Sequence, residues 1–132
     1  MNPGMVLYWK QFVFENGDPA DKLFIVLGHP RNNACLTVKA TSQQKWRHRD
    51  EGCHIENGYF FVRGGDKERW FDCNTWIILE QPYLFRCDAI KGAIDSGQAV
   101  VKTNLIARFM SELRNCLKRS DDISEEQLAH LN

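Results

Sequence analysis

The chain has 132 residues, the length of one ordinary domain, with 43% hydrophobic and 26% charged residues. It can bury roughly two thirds of its unfolded surface in one core and needs neither a metal nor disulfides to fold. Seventeen Lys and Arg balance seventeen Asp and Glu, so attraction to a polyanion must come from a local patch and not from the net field.

In chain order, residues 6–14 are rich in aromatic and branched side chains and end at Asn16-Gly17-Asp18-Pro19, a turn cluster, which predicts a first strand. Residues 22–28 are apolar at consecutive positions, as in a central strand covered on both faces, and stop at His29-Pro30. Residues 34–41 alternate, with Leu36, Val38 and Ala40 on one side and Thr37, Lys39 and Thr41 on the other, which predicts a third strand with a polar face. Residues 43–57 read as a long surface excursion, residues 59–62 as a strand, and Gly64-Gly65-Asp66 as a turn. Residues 75–79 and 83–87 flank Pro82 as two further strands, giving six at most.

Leu105, Ile106, Phe109, Met110, Leu113, Cys116 and Leu117 fall on one helical face, predicting a helix whose apolar stripe packs on the sheet. Ser124 and Gln127 form a capping box that opens a last short helix, with Ile123 and Leu128 placed to staple across it. The layout is mainly β, of α+β class: a β domain over residues 1–100 and a C-terminal helical extension of it over residues 101–132, with a soft boundary at residues 92–97. No apolar run approaches the roughly 20 residues that cross a bilayer, and the start lacks a secretion-signal pattern. We therefore expect a cytoplasmic protein without membrane contact. The odd set Cys35, Cys53, Cys73, Cys87 and Cys116 then reads as reduced thiols, mostly in the core.

The segment from Lys39 to Arg49 carries Lys39, Lys45, Arg47, Arg49, His48, Thr41, Ser42 and Trp46 and no acid. Cationic side chains neutralise phosphates, and an indole or guanidinium plane offers a surface for an unstacked base. The alternative is a solvated loop whose Asp50 and Glu51 offset the charge. Cutting RNA without a metal needs a base for the 2′-hydroxyl proton, an acid for the leaving oxygen and donors for the phosphorane. Thr41 and Ser42 can donate to a phosphate held by Arg47, Arg49 or Lys22, although Ser42 can equally bond its own backbone in a turn. His54 is an acid or base candidate, or simply a surface histidine. No Cys-x-x-Cys or His-x-x-x-His spacing supports zinc and no Gly-rich loop opens a helix, so neither metal nor cofactor is expected. Cys53 next to His54 makes a poor dyad, because neighbours on an extended segment face opposite sides.

Residues 21–27 (DKLFIVL), residues 36–42 (LTVKATS), His54, residues 59–61 (YFF) and residues 74–79 (NTWIIL) follow one another in an order and spacing that resembles the PemK/MazF-like toxins of toxin-antitoxin systems. The resemblance covers about residues 10–86. It implies an SH3-like small β-barrel, usually a homodimer, that cleaves single-stranded RNA without a metal and is blocked by an antitoxin protein. The family's Thr-Ser pair falls on Thr41 and Ser42, while its arginine falls on Lys22 or has no counterpart. A lysine lacks the bidentate fork of a guanidinium, and the family's opening Arg-Gly-Asp is absent. The expectation is an endoribonuclease with Thr41, Ser42, Lys22 and His54 in catalysis and Lys39, Lys45, Trp46, Arg47 and Arg49 on the RNA. The rival is a non-catalytic SH3-like module that binds a protein or peptide through anchors such as Trp46 and Trp70.

Overall fold

The computed structural model describes residues 1–13 and 17–132. Seven strands form one antiparallel sheet: β1 (Met5–Val13), β2 (Pro19–Val26), β3 (Ala34–Thr41), β4 (Gly52–His54), β5 (Tyr59–Val62), β6 (Thr75–Arg86) and β7 (Ala99–Asn104). Their order is β4-β5-β6-β3-β2-β1-β7, with β4 and β7 at the two edges. Three helices accompany it, α1 (Cys87–Ser96), α2 (Ala107–Lys118) and α3 (Glu125–Leu131). The class is α+β, dominated by antiparallel β, and none of the described helices is long and apolar enough to cross a membrane.

Several sequence expectations shift. Pro82 does not separate two strands: β6 runs through it, because a bulge at Gln81, whose φ is 54°, takes up the missing donor. Cys87 leaves the strand and opens α1, which occupies the expected boundary at residues 92–97, and β7 adds a seventh strand. The excursion at residues 43–57 closes with β4 and a 3-10 turn, Ile55–Asn57. The first strand ends at Val13; Phe14 and Asn16 lie outside the described residues.

Both faces of the sheet are covered. Ile25, Leu36, Val38, Phe60, Val62, Ile77 and Leu79 pack on one side against Phe109, Met110, Leu113 and Leu117 of α2, as the helical stripe predicts. On the other side Leu7, Trp9, Phe24 and Val26 lie under Ile90 and Ala93 of α1. The supposed polar face of β3 is therefore partly internal. Thr37 is fully buried and donates to the Tyr83 carbonyl at 3.2 Å, which satisfies its hydroxyl. Leu105 is buried but Ile106 is exposed, since the helix begins only at Ala107.

The five cysteines are not all thiols. Cys53 of β4 and Cys116 of α2 form a disulfide that ties the edge strand to the helix, leaving Cys35, Cys73 and Cys87 free. Ser124 accepts from the Gln127 N–H and Gln127 returns the bond to Ser124, so the expected capping box opens α3. Gly28 sits under α3 so closely that an added Cβ would collide with the His130 carbonyl, which leaves glycine as the residue that fits.

Candidate functional site

Beyond Thr41, where β3 ends, residues 42–50 fold back over the outer face of β5 and β6. Two hydrogen bonds fix this flap at His48: its N–H donates to the Tyr59 hydroxyl at 2.9 Å, and its carbonyl accepts from Trp76 Nε1 at 2.7 Å. Tyr59, Phe61, Trp76 and Ile78 are buried beneath it. These aromatics gain cover from the flap, and their polar tips find partners in its backbone. Within the flap, Arg47 donates to the Gln43 carbonyl at 2.9 Å and lies 5.4 Å from the centre of the Trp46 ring. Trp46 itself is 62% exposed.

The flap carries its charge towards β2 and β3. Lys22 is half-buried, and its ammonium is held below the usual lysine range, first by burial and then by Lys39, Arg47 and Lys45. Desolvation and like charge act in the same direction here. Among the described residues no carboxylate pairs with Lys22, Lys45 or Arg47. Asp21, the nearest acid in sequence, is engaged elsewhere: it accepts from the Gln11 N–H at 2.9 Å and from the Tyr8 hydroxyl at 2.8 Å. Those bonds hold the Asp21 carboxyl below its ordinary range and raise the Tyr8 hydroxyl.

Lys22, Thr41 and Ser42 converge on a recess of about 390 Å³, together with Tyr8, Asp21, Trp70, Phe71 and Cys73. The expected trio thus meets in one place. Thr41 Oγ1 accepts from the Gln43 N–H at 3.2 Å, so the hydroxyl that bonds the backbone at this corner is that of Thr41 and not that of Ser42, which is exposed. Trp70 forms part of the recess wall at a φ of 71°, a sparsely populated conformation for a bulky residue, with 36% of its surface exposed.

His54 does not line this recess. It stands on β4, its ring centre 5.2 Å from that of Tyr59 and its Nε2 2.6 Å from the Asp50 carbonyl. A carbonyl only accepts, so that nitrogen carries the proton. Arg49 is exposed and enters no ion pair or hydrogen bond among the described residues. The sequence did not single out Tyr8, Asp21 or Cys73 as lining residues. Their convergence depends on the β1–β2 register and on the loop after β5, for which the sequence offers only the hairpin turn as a signal.

Comparison with protein-family models, with curated proteins and with solved structures found no match. Function must be argued from these residues. Among them no three His, Cys, Asp or Glu side chains converge on a metal position. The arrangement offers fixed cations for phosphate charge, one amine of reduced basicity, two hydroxyls and an exposed indole.

Proposed function

We propose that the chain binds single-stranded RNA across this cationic face and cleaves it without a metal, as the PemK/MazF-like toxins it resembles do. The observation that carries the reading is Lys22, half-buried near Lys39, Lys45 and Arg47, with no acid paired to it among the described residues, beside Thr41 and Ser42. A phosphate would supply the counter-charge that Lys22, Lys45 and Arg47 do not find among the described residues. In the reaction the 2′-oxygen bonds to phosphorus as the bond to the 5′-oxygen breaks, and the leaving 5′-oxygen takes its proton from water. Lys22, whose basicity is lowered by burial and by its cationic neighbours, takes the 2′-hydroxyl proton. Arg47, Lys39 and Lys45 stabilise the charged phosphorane, Thr41 and Ser42 donate to its oxygens, and Trp46 stacks an unpaired base. His54 stays outside this set. An SH3-like barrel, a homodimer and an antitoxin protein, whose acidic segment would match the cationic face, belong to the same reading. The bulges at Gln11 and Gln81 support the curled sheet that a barrel needs.

Trp70 and Phe71 in the recess wall favour a second reading, a non-catalytic module whose recess takes an aromatic-binding peptide. The discriminating experiment incubates the full chain with a mixed single-stranded RNA pool in chelator. Cleavage products ending in 2′,3′-cyclic phosphate, lost in Lys22→Met but kept in Trp70→Ala, support the nuclease. Intact RNA after prolonged incubation refutes it.

A further inference from the structure

Two thiols meet far from the flap in the chain's topology. Cys35, the second residue of β3, is buried, and Cys87, the first residue of α1, is half-exposed. Their sulfurs lie 2.8 Å apart. The backbone fixes this approach: Ala34 pairs with Arg86 and Cys35 with Phe85, and the Cys87 N–H donates to the Asn33 carbonyl at 2.9 Å. A disulfide needs about 2.05 Å between sulfurs, so closure asks each to move by less than about 0.5 Å, within the reach of a small side-chain rotation. Neither cysteine belongs to the Cys53–Cys116 disulfide.

The two positions are unequal. Burial, followed by the hydrogen bond with Cys87, pushes the Cys35 thiol up to about 12, and Met1 Sδ stands 3.5 Å from it on the apolar side. Cys35 therefore holds its proton and is shielded from reagents, whereas Cys87 is open to them. Thiol exchange is carried by the accessible thiolate, and a buried neighbour completes it once a mixed disulfide has formed.

We propose that Cys35 and Cys87 form a redox-active dithiol that reduces small disulfides such as oxidised glutathione, with Cys87 attacking and Cys35 resolving. In the first step the Cys87 thiolate bonds to one sulfur of the substrate, the substrate's S–S bond breaks and one thiolate leaves. In the second, Cys35 gives up its proton and bonds to the Cys87 sulfur, and the second substrate thiolate leaves. Two protein thiols are oxidised by two electrons, the substrate disulfide is reduced to two thiols, and the released protons go to the leaving sulfurs.

The test treats the full chain, with Cys53–Cys116 intact, with oxidised glutathione, quenches in acid, alkylates under denaturing conditions and maps peptides by mass. The exposed Cys73 is the internal control, because its free thiol is open to the same reagent. In the wild type we expect a Cys35–Cys87 cross-linked peptide with glutathione on Cys73 and almost none on Cys87. In Cys35→Ala, glutathione stays trapped on Cys87, at least about tenfold above its wild-type level. In Cys87→Ala, Cys35 remains alkylatable. Equal glutathione on Cys87 in wild type and Cys35→Ala overturns the proposal. So does a pair that stays fully alkylatable after Cys73 is consumed. The wild-type cross-link alone decides the matter if the buried Cys35→Ala variant does not fold.

Discussion

If Lys22, Lys39, Lys45 and Arg47 form one phosphate-binding cluster, the salt dependence of RNA binding follows from their number. Each phosphate neutralised on a single strand contributes about −0.7 to the slope of log affinity against log salt, so four contacts give about −2.8. Raising monovalent salt from about 50 to about 200 mM should then weaken binding about 50-fold. Lys45→Ala with Arg47→Ala removes two of the four, cutting the slope to about −1.4 and the loss over the same range to about sevenfold. Both residues lie on the flap, and among the described residues neither carries an ion pair or packs in the core; the Arg47 bond to the Gln43 carbonyl lies within the flap, so the sheet and its core are retained. Fluorescence anisotropy of a short labelled single-stranded RNA, titrated at several salt concentrations, reads the slope directly. A slope near zero in the wild type, or an unchanged slope in the double variant, would refute the cluster as a polyanion site, whatever the affinity at one salt concentration.

The disulfide should matter more for stability than its edge position implies. Cys53 and Cys116 are 63 residues apart, and loop-closure entropy for that separation gives about 4 kcal/mol of stabilisation. Thermal melts with and without reductant should differ by roughly 10–20 °C for a chain of this length, and coincident melts would show that the denatured chain gains nothing from release of the link. Lys22 predicts a pH effect. Because its folded-state basicity is lowered, the unfolded state binds more protons between that lowered value and the ordinary lysine value, so wild-type stability rises with pH across the window. Lys22→Met should be the more stable protein at pH 7, by a margin that shrinks towards pH 10 in urea titrations. A margin independent of pH removes the strain assigned to this lysine. Trp76→Phe deletes the bond to the His48 carbonyl, worth about 1 kcal/mol. It should weaken RNA binding several-fold while leaving the salt slope unchanged, and unaltered affinity would show that the flap needs no anchor.

Elements whose burial follows one period are legible in the sequence. The stripe of α2 and the alternation of Leu36, Val38 and Ala40 appear in the structure as expected, because each buries one continuous face. The capping box of α3 is legible because its two bonds join residues three apart. By contrast α1 buries only Ile90 and Ala93 and contains Gly92, too short a stripe to stand out from a linker. In β7 Ala99 is the only buried residue while Val100 and Val101 are exposed, so no alternation marks it as an edge strand. The pairing of Cys53 with Cys116 depends on α2 lying against β4, a tertiary fact that no cysteine spacing encodes.

The site divides along the same line. Lys22 and Thr41 come together because β2 and β3 pair with Leu23 opposite Ala40, a register that two neighbouring strands with matched apolar faces settle by themselves. His54 escapes the recess because β4 lies at the far edge of the sheet, with β5 and β6 between it and β3. What draws Lys45 and Arg47 inward is the pair of polar tips, Tyr59 Oη and Trp76 Nε1, that would be buried unsatisfied without the His48 backbone. Packing demand at two aromatics therefore places the charge of the flap. If the proposed function holds, a phosphate strand would meet cations already confined, with less ordering entropy to lose than a free loop would impose.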